Sequence, residues 1–134
     1  MKDCIFCAIG SGAVPSHRVY EDAGHVAFLD AHPIRPGHTL VVPRRHIPYV
    51  QDMDAASWAD LMEATRRVAR VVHETLAPVR VGLLVAGWDV AHVHVHVVPM
   101  QEYHDLTSRS ILEGTRASPS LQEFQSMVAR LRGQ

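Results

Sequence analysis

The chain has 134 residues, 47% of them hydrophobic, and a formal net charge of −1. That suits one domain with a real core, and it is too neutral to draw in nucleic acid or a membrane surface by bulk charge. No apolar run approaches a bilayer span, and the opening MKDCIFC lacks the charged-then-apolar pattern of a secretion signal. A cytoplasmic protein with neither a nucleic-acid nor a membrane partner is therefore expected.

In chain order, residues 3–10 read as a short helix ended by Gly10-Ser11-Gly12. Residues 17–21 and 26–30 read as strands joined by a turn at Asp22-Ala23-Gly24. The stretch Ala31-His32-Pro33-Ile34-Arg35-Pro36-Gly37 is too rich in Pro and Gly for regular structure, and residues 39–42 follow as a strand that Pro43 stops. Asp54 offers an N-cap for a long helix over 55–77, closed by Pro78. Trp58, Leu61, Met62, Val68, Ala69, Val72 and Leu76 fall at helical spacings and predict one buried stripe. Residues 81–85 give a fourth strand and 92–98 a fifth, with Pro99 at its end. Residues 100–118 have no clear pattern; 120–131 read as a terminal helix capped by Ser118 or Ser120. Hairpin strands around one long helix predict a single α+β domain with a five-stranded antiparallel sheet.

Two clusters carry chemistry. Both cysteines sit in Cys4-Ile5-Phe6-Cys7, and without a secretion signal C-x-x-C reads as half a metal site or a redox pair before a structural disulfide. Two small half-buried thiols is the plainer alternative. The chain also holds ten histidines, three of them in AHVHVHVVP as His92, His94 and His96. On a strand these share one face while the valines line the other, with neighbours about 6.5–7 Å apart. Imidazole can serve there as nucleophile, general acid or base, or metal ligand. His17, His25, His73 and His104 read as surface residues.

The stretch His92-Val-His94-Val-His96-Val-Val resembles the histidine-triad motif of the HIT superfamily. VAFLDAHPIRPGHTLVVPRRH is similar to that family's upstream signature, and CIFCAIGSGAVPSHRVYED to the opening of many bacterial members. Together they cover about residues 4–100 of one domain spanning 1–134, leaving 101–134 as a variable C-terminal region. The resemblance implies binding of a purine nucleotide and cleavage or transfer at its α-phosphorus through a covalent nucleotidyl-histidine. His94 falls on the nucleophile, His92 would orient it through its backbone carbonyl, and His96 would meet phosphate oxygens or the leaving group. Asp30 matches the aspartate that accepts the ribose hydroxyls, a role suited to an acceptor-only carboxylate. Ile5, Phe6, Ile9, Phe28 and Leu29 resemble the apolar wall of the base pocket.

A zinc-containing bacterial branch holds a structural Zn²⁺ with residues that here are Cys4, Cys7, His46 and His92, a closed tetrahedral donor set. Family members also form homodimers by extending the sheet and pairing the long helices, so residues 55–77 are expected at such an interface. One passage departs from the pattern. Where the family reads G-Q-[ST]-V-x-H, this chain has Gly87-Trp88-Asp89-Val90-Ala91-His92. Asp89 thus replaces a hydroxyl that holds a phosphate oxygen, and a carboxylate there would repel an anion unless protonated or turned away. It reads as a nucleotide-side residue that assists proton transfer or selects the leaving group, or else as a plain turn aspartate. The expected function is a nucleotide hydrolase or nucleotidyl transferase acting on a phosphoramidate, dinucleoside polyphosphate or similar compound. A zinc-stabilised nucleotide-binding module with little catalysis is the alternative.

Overall fold

The structure is a computed structural model and describes residues 3–107 and 117–133. Five strands form one antiparallel sheet: β1 (Arg18–Glu21), β2 (His25–Leu29), β3 (Thr39–Pro43), β4 (Arg80–Leu84) and β5 (Val95–Met100). Their order across the sheet is β1-β2-β3-β5-β4, so the last strand in sequence inserts beside the centre and leaves β4 at an edge. Three α-helices complete the described fold: α1 (Ile5–Ser11), α2 (Ala55–Leu76) and α3 (Leu121–Arg132).

Strand alternation sorts the apolar residues onto two faces. Ala27, Leu29, Val41, Val93, Val95 and Val97 join Leu61, Ala64, Val68 and Val72 of α2 and Leu131 of α3 in the larger core. Val26, Phe28, Leu40 and Val42 point the other way and pack against Phe6 and Ile9 of α1. The Asp54 side chain accepts the Ser57 N–H and caps α2, whose last turn ends at Ala77 in the left-handed region (φ 47°) ahead of Pro78. Ser120 caps α3 in a reciprocal pair with Glu123, which selects it over Ser118.

α1, with seven residues, is too short to be stable alone and is tied at both ends. Arg44 donates to the Gly10 carbonyl at 2.6 Å, and Arg18 donates to that of Ile9. At its start the Cys7 N–H meets the Cys4 sulfur at 3.4 Å. No disulfide joins Cys4 and Cys7.

The structure corrects several expectations. Trp58 does not join the buried stripe; it is 38% exposed, and the buried residues of α2 are Leu61, Ala64, Thr65, Val68 and Val72. His25 is buried and bonded through Nδ1 to Asp22 at 3.0 Å, so it is no surface residue. The fifth strand begins at Val95 rather than at His92. Extending the β3–β5 register would set Pro43, which has no N–H, against Val93; the Val93 N–H instead donates to the Ile47 carbonyl at 2.8 Å. Short 3₁₀ turns at Val50–Asp52 and Tyr103–Leu106 have no counterpart in the sequence reading, because one-turn elements lack a periodic signal. Within the second, Asp105 is buried. Burial pushes its carboxyl up, but the N–H groups of Gln101, Arg35 and Glu102 outweigh that and hold it below its usual value. The C-terminal region expected to vary lies partly outside the described residues, at 108–116 and 134. No helix among the described residues is long and apolar enough to cross a membrane.

Gly37 closes the 31–37 loop at φ 97°, and a Cβ there would lie 2.3 Å from Leu76 Cδ1. Gly37→Ala is expected to destabilise the fold by about 2 kcal/mol or more, combining left-handed backbone strain with overpacking. A thermal or urea unfolding curve unchanged by the substitution would contradict this account of the loop.

Candidate active site and metal centre

The strand register lays out the site. Phe28 pairs with Leu40, Leu40 with His96 and His96 with Leu84, so four residues stand in one row across β2, β3, β5 and β4. They line an open cleft of about 1280 Å³, whose walls include Ile5, Phe6 and Ile9 of α1 and residues 86–90. His94 and His96 project into it with ring centroids 5.0 Å apart, and Phe6 meets the His94 ring edge-on at 4.9 Å. A smaller recess of about 470 Å³ between the 33–38 loop and α3 contains neither His94 nor His96.

His92 does not reach the cleft. It is fully buried, and burial pushes its imidazole below the ordinary histidine value. Its Nε2–H donates to the Pro43 carbonyl at 2.7 Å, which leaves Nδ1 as a lone-pair donor. That atom lies 3.3 Å from Cys4 Sγ, 3.5 Å from Cys7 Sγ and 3.2 Å from His46 Nδ1; Cys7 Sγ lies 3.3 Å from His46 Nδ1. Zn–S bonds of about 2.3 Å and Zn–N bonds of about 2.0–2.1 Å in a tetrahedron give ligand–ligand edges of about 3.3–3.8 Å. All four donor atoms lie within 4.8 Å of one another, so Cys4, Cys7, His46 and His92 fit a tetrahedral zinc in donor type, number and spacing. The bond from His92 to the Pro43 carbonyl supplies the outer support that metal-binding histidines use to fix their tautomer.

The carbonyl of His92 accepts the Nδ1–H of His94 at 2.8 Å. The His94 proton is thereby held at Nδ1, and Nε2 carries the lone pair of a neutral imidazole. His96 is set in the opposite sense. The Ile34 N–H donates to His38 Nδ1 at 3.1 Å, so His38 carries its proton on Nε2, which lies 2.9 Å from His96 Nδ1. His96 Nδ1 must accept, and its own proton then sits on Nε2. The two neighbouring histidines therefore present one acceptor nitrogen and one donor nitrogen.

Asp30 Oδ2 lies 3.6 Å from His38 Nε2. Asp30, His38 and His96 bring three potential ligand atoms within 4.8 Å. The backbone bond to His38 Nδ1 argues against a metal there, since both nitrogens of that ring are committed, one accepting and one protonated.

Of the residues singled out in the sequence, Ile5, Phe6, Ile9, Phe28, Leu29, Asp30, Asp89, His94 and His96 all border the cleft. Leu29 contributes its side chain to the helix-side core as well, as alternation with Phe28 requires. Asp30 also acts locally, where its Oδ1 accepts the His32 N–H at 2.8 Å and closes the turn that follows β2. His38 is the residue that sequence reasoning missed. Its signal was present in Gly37-His38-Thr39-Leu40, where a polar residue precedes the inward-facing Leu40 by two and so faces the same side.

A family model described as HIT domain matches residues 11–103. Protein hit of Bacillus subtilis is 36% identical over 103 residues, covering 73% of this chain and 71% of that protein. A protein named adenylylsulfatase HINT3, from Arabidopsis thaliana, is 29% identical over 106 residues, 75% of this chain and 54% of its own length. Among solved structures, a zinc-bound histidine triad family protein from Mycobacterium smegmatis superposes with a TM-score of 0.81 at 30% identity, over 98% of this chain and 92% of that one. With the family motif carried by 93 consecutive residues around a cleft built from its histidines, this chain belongs to the HIT domain family.

Proposed function

We propose that this chain is a nucleotide hydrolase or nucleotidyl transferase that cleaves at the α-phosphorus of a purine nucleotide conjugate through a covalent intermediate on His94. The observation that carries the reading is the opposed pair of tautomers, an unprotonated His94 Nε2 beside a protonated His96 Nε2 in one cleft. The name of the Arabidopsis relative, an adenylylsulfatase, supports an adenylyl group as the part transferred.

In the first step the His94 Nε2 lone pair forms a bond to phosphorus while the bond from phosphorus to the leaving atom breaks. The leaving atom keeps that electron pair, is hydrogen-bonded by His96 Nε2–H, which His38 orients, and takes its proton from solvent. In the second step a water oxygen attacks phosphorus, its proton returns to solvent, and the phosphorus–His94 bond breaks, the electron pair going back to His94 Nε2. The net change is addition of water across the cleaved bond, or of another hydroxyl in a transferase. Asp30 accepts from the ribose hydroxyls, and Ile5, Phe6, Ile9, Phe28 and Leu29 wall the base. Nδ1 of His94 stays on the His92 carbonyl, which stabilises the imidazolium character that develops as the bond forms.

Zinc is part of the same reading, held by Cys4, Cys7, His46 and His92; when bound it supplies a closed structural cross-link. The zinc-bound Mycobacterium smegmatis relative supports this assignment. We place all 134 residues in one domain, with a homodimer built by sheet extension and helix pairing. Edge strand β4, exposing Leu83 (47%) and Leu84 (40%), supports that assembly, as does the exposed Trp58 on α2.

Single-turnover release of AMP from an adenosine 5′-phosphoramidate tests the chemistry. His94→Ala should slow it by about a thousandfold or more while nucleotide affinity stays within a few-fold. Nucleotide bound tightly by both proteins, with turnover in neither, would leave a binding module instead. His38→Ala should cost about tenfold to a hundredfold in kcat and shift the pH–rate profile; a lower rate with an unmoved profile would contradict the orienting role. Metal analysis should find about one zinc per chain. Cys4→Ser and Cys7→Ser should each lose it and lower the unfolding temperature, and equal metal content in both variants and wild type would rule out this donor set.

A further inference from the structure

The row Phe28–Leu40–His96–Leu84 divides the cleft into two sides. Phe28 lies on β2 and Asp30 directly follows that strand, with Phe6 packed on Phe28, while Leu84 lies beyond His96 on β4 and residues 86–89, which follow β4, line the same cleft. A nucleoside held on the first side directs whatever its phosphorus carries toward the second.

The second side has an unusual make-up. Trp88 is 94% exposed, the least covered large apolar side chain among the described residues, and it borders the cleft beside an exposed Asp89. Left bare, an indole of that size keeps a large apolar face in water. No lysine or arginine lies among the described residues that line the cleft, whereas two carboxylates do, Asp30 and Asp89. A further phosphate chain leaving from the α-phosphorus would bring several negative charges to a wall whose described residues offer no lysine or arginine and one carboxylate. A positive group reverses both effects, because a carboxylate and the face of an indole each attract a cation.

We propose that Trp88 and Asp89 form a subsite for a cationic leaving group. The preferred substrates are then nucleoside 5′-phosphoramidates of amines that carry a second, positively charged centre, and anionic leaving groups are disfavoured. This rests on the nucleotidyl-transfer reading above and deepens it. The bond cleaved is the phosphorus–nitrogen bond; the amine departs with the electron pair and a proton, while the distal cation at Trp88 and Asp89 is chemically unchanged.

The test uses three adenosine 5′-phosphoramidates of similar length, made from 1,4-diaminobutane, butylamine and 4-aminobutanoate, whose distal ends are positive, neutral and negative. In the full chain kcat/KM should fall in that order, with about tenfold or more between the positive and negative compounds, a ratio that shrinks at high salt. Asp89→Asn should bring that ratio within about threefold, and Trp88→Ala should slow the cationic compound more than the anionic one. Equal rates for all three compounds, or an Asp89→Asn ratio matching wild type, would overturn the subsite and leave the nucleotidyl transfer standing. No AMP released from any of them by the wild-type chain would remove that reading, and the subsite with it.

Discussion

The side chain and carbonyl of one residue hold the site together. His92 points Nε2–H at the Pro43 carbonyl, turns Nδ1 toward Cys4, Cys7 and His46, and accepts the Nδ1–H of His94 on its backbone oxygen. These three directions belong to β3, the N-terminal segment and the histidine row. None can shift without moving the others, because the ring is fully buried and its proton is fixed by one carbonyl. The position of the α1 wall of the cleft and the tautomer of His94 therefore share one origin.

That constraint explains why neutral histidines in close proximity can do different things. His94 and His96 have ring centroids 5.0 Å apart in the same cleft, yet their hydrogen-bond partners assign them opposite proton positions. The partners are backbone groups in the end: the carbonyl of His92 for one, and the Ile34 N–H acting through His38 for the other. Backbone groups hold their orientation with the fold, so the arrangement is set before any ligand arrives. Charge is handled with similar economy. The described cleft residues include no lysine or arginine, and the titratable groups among them are imidazoles and two carboxylates.

The sequence is most readable where side-chain chemistry repeats with the period of an element. The 22-residue α2 declares itself by its cap and apolar spacing, and the histidine row by alternation with valines that do enter the core. The Cys4, Cys7, His46 and His92 quartet can be assembled only through the family resemblance, since its members are up to 88 residues apart. Trp58 is misplaced by the sequence because helical spacing defines a stripe but not its width; the core takes up Leu61 one turn further on and leaves the indole at the edge. The start of β5 is misplaced because propensity sees Val and His alternating but cannot see that Pro43 withholds a partner N–H across the sheet. His38 escapes for a related reason: its role depends on a loop amide four residues earlier and a histidine 58 residues later.

The placement of β5 has a consequence for how the molecule is made. β5 lies between β3 and β4, and the quartet that tethers α1 is incomplete without His92. A chain emerging from the ribosome can therefore pack α1, with the cleft-lining Ile5, Phe6 and Ile9, against β2 and β3, but it cannot close the tether at Cys4 and Cys7 until His92, 85 residues after Cys7, has been made. During that interval β3 and β4 lack their shared neighbour, and the valine-rich β5 is the strand that must thread between them. The helix that walls the cleft thus receives its last fastening from the segment that also brings in His94 and His96.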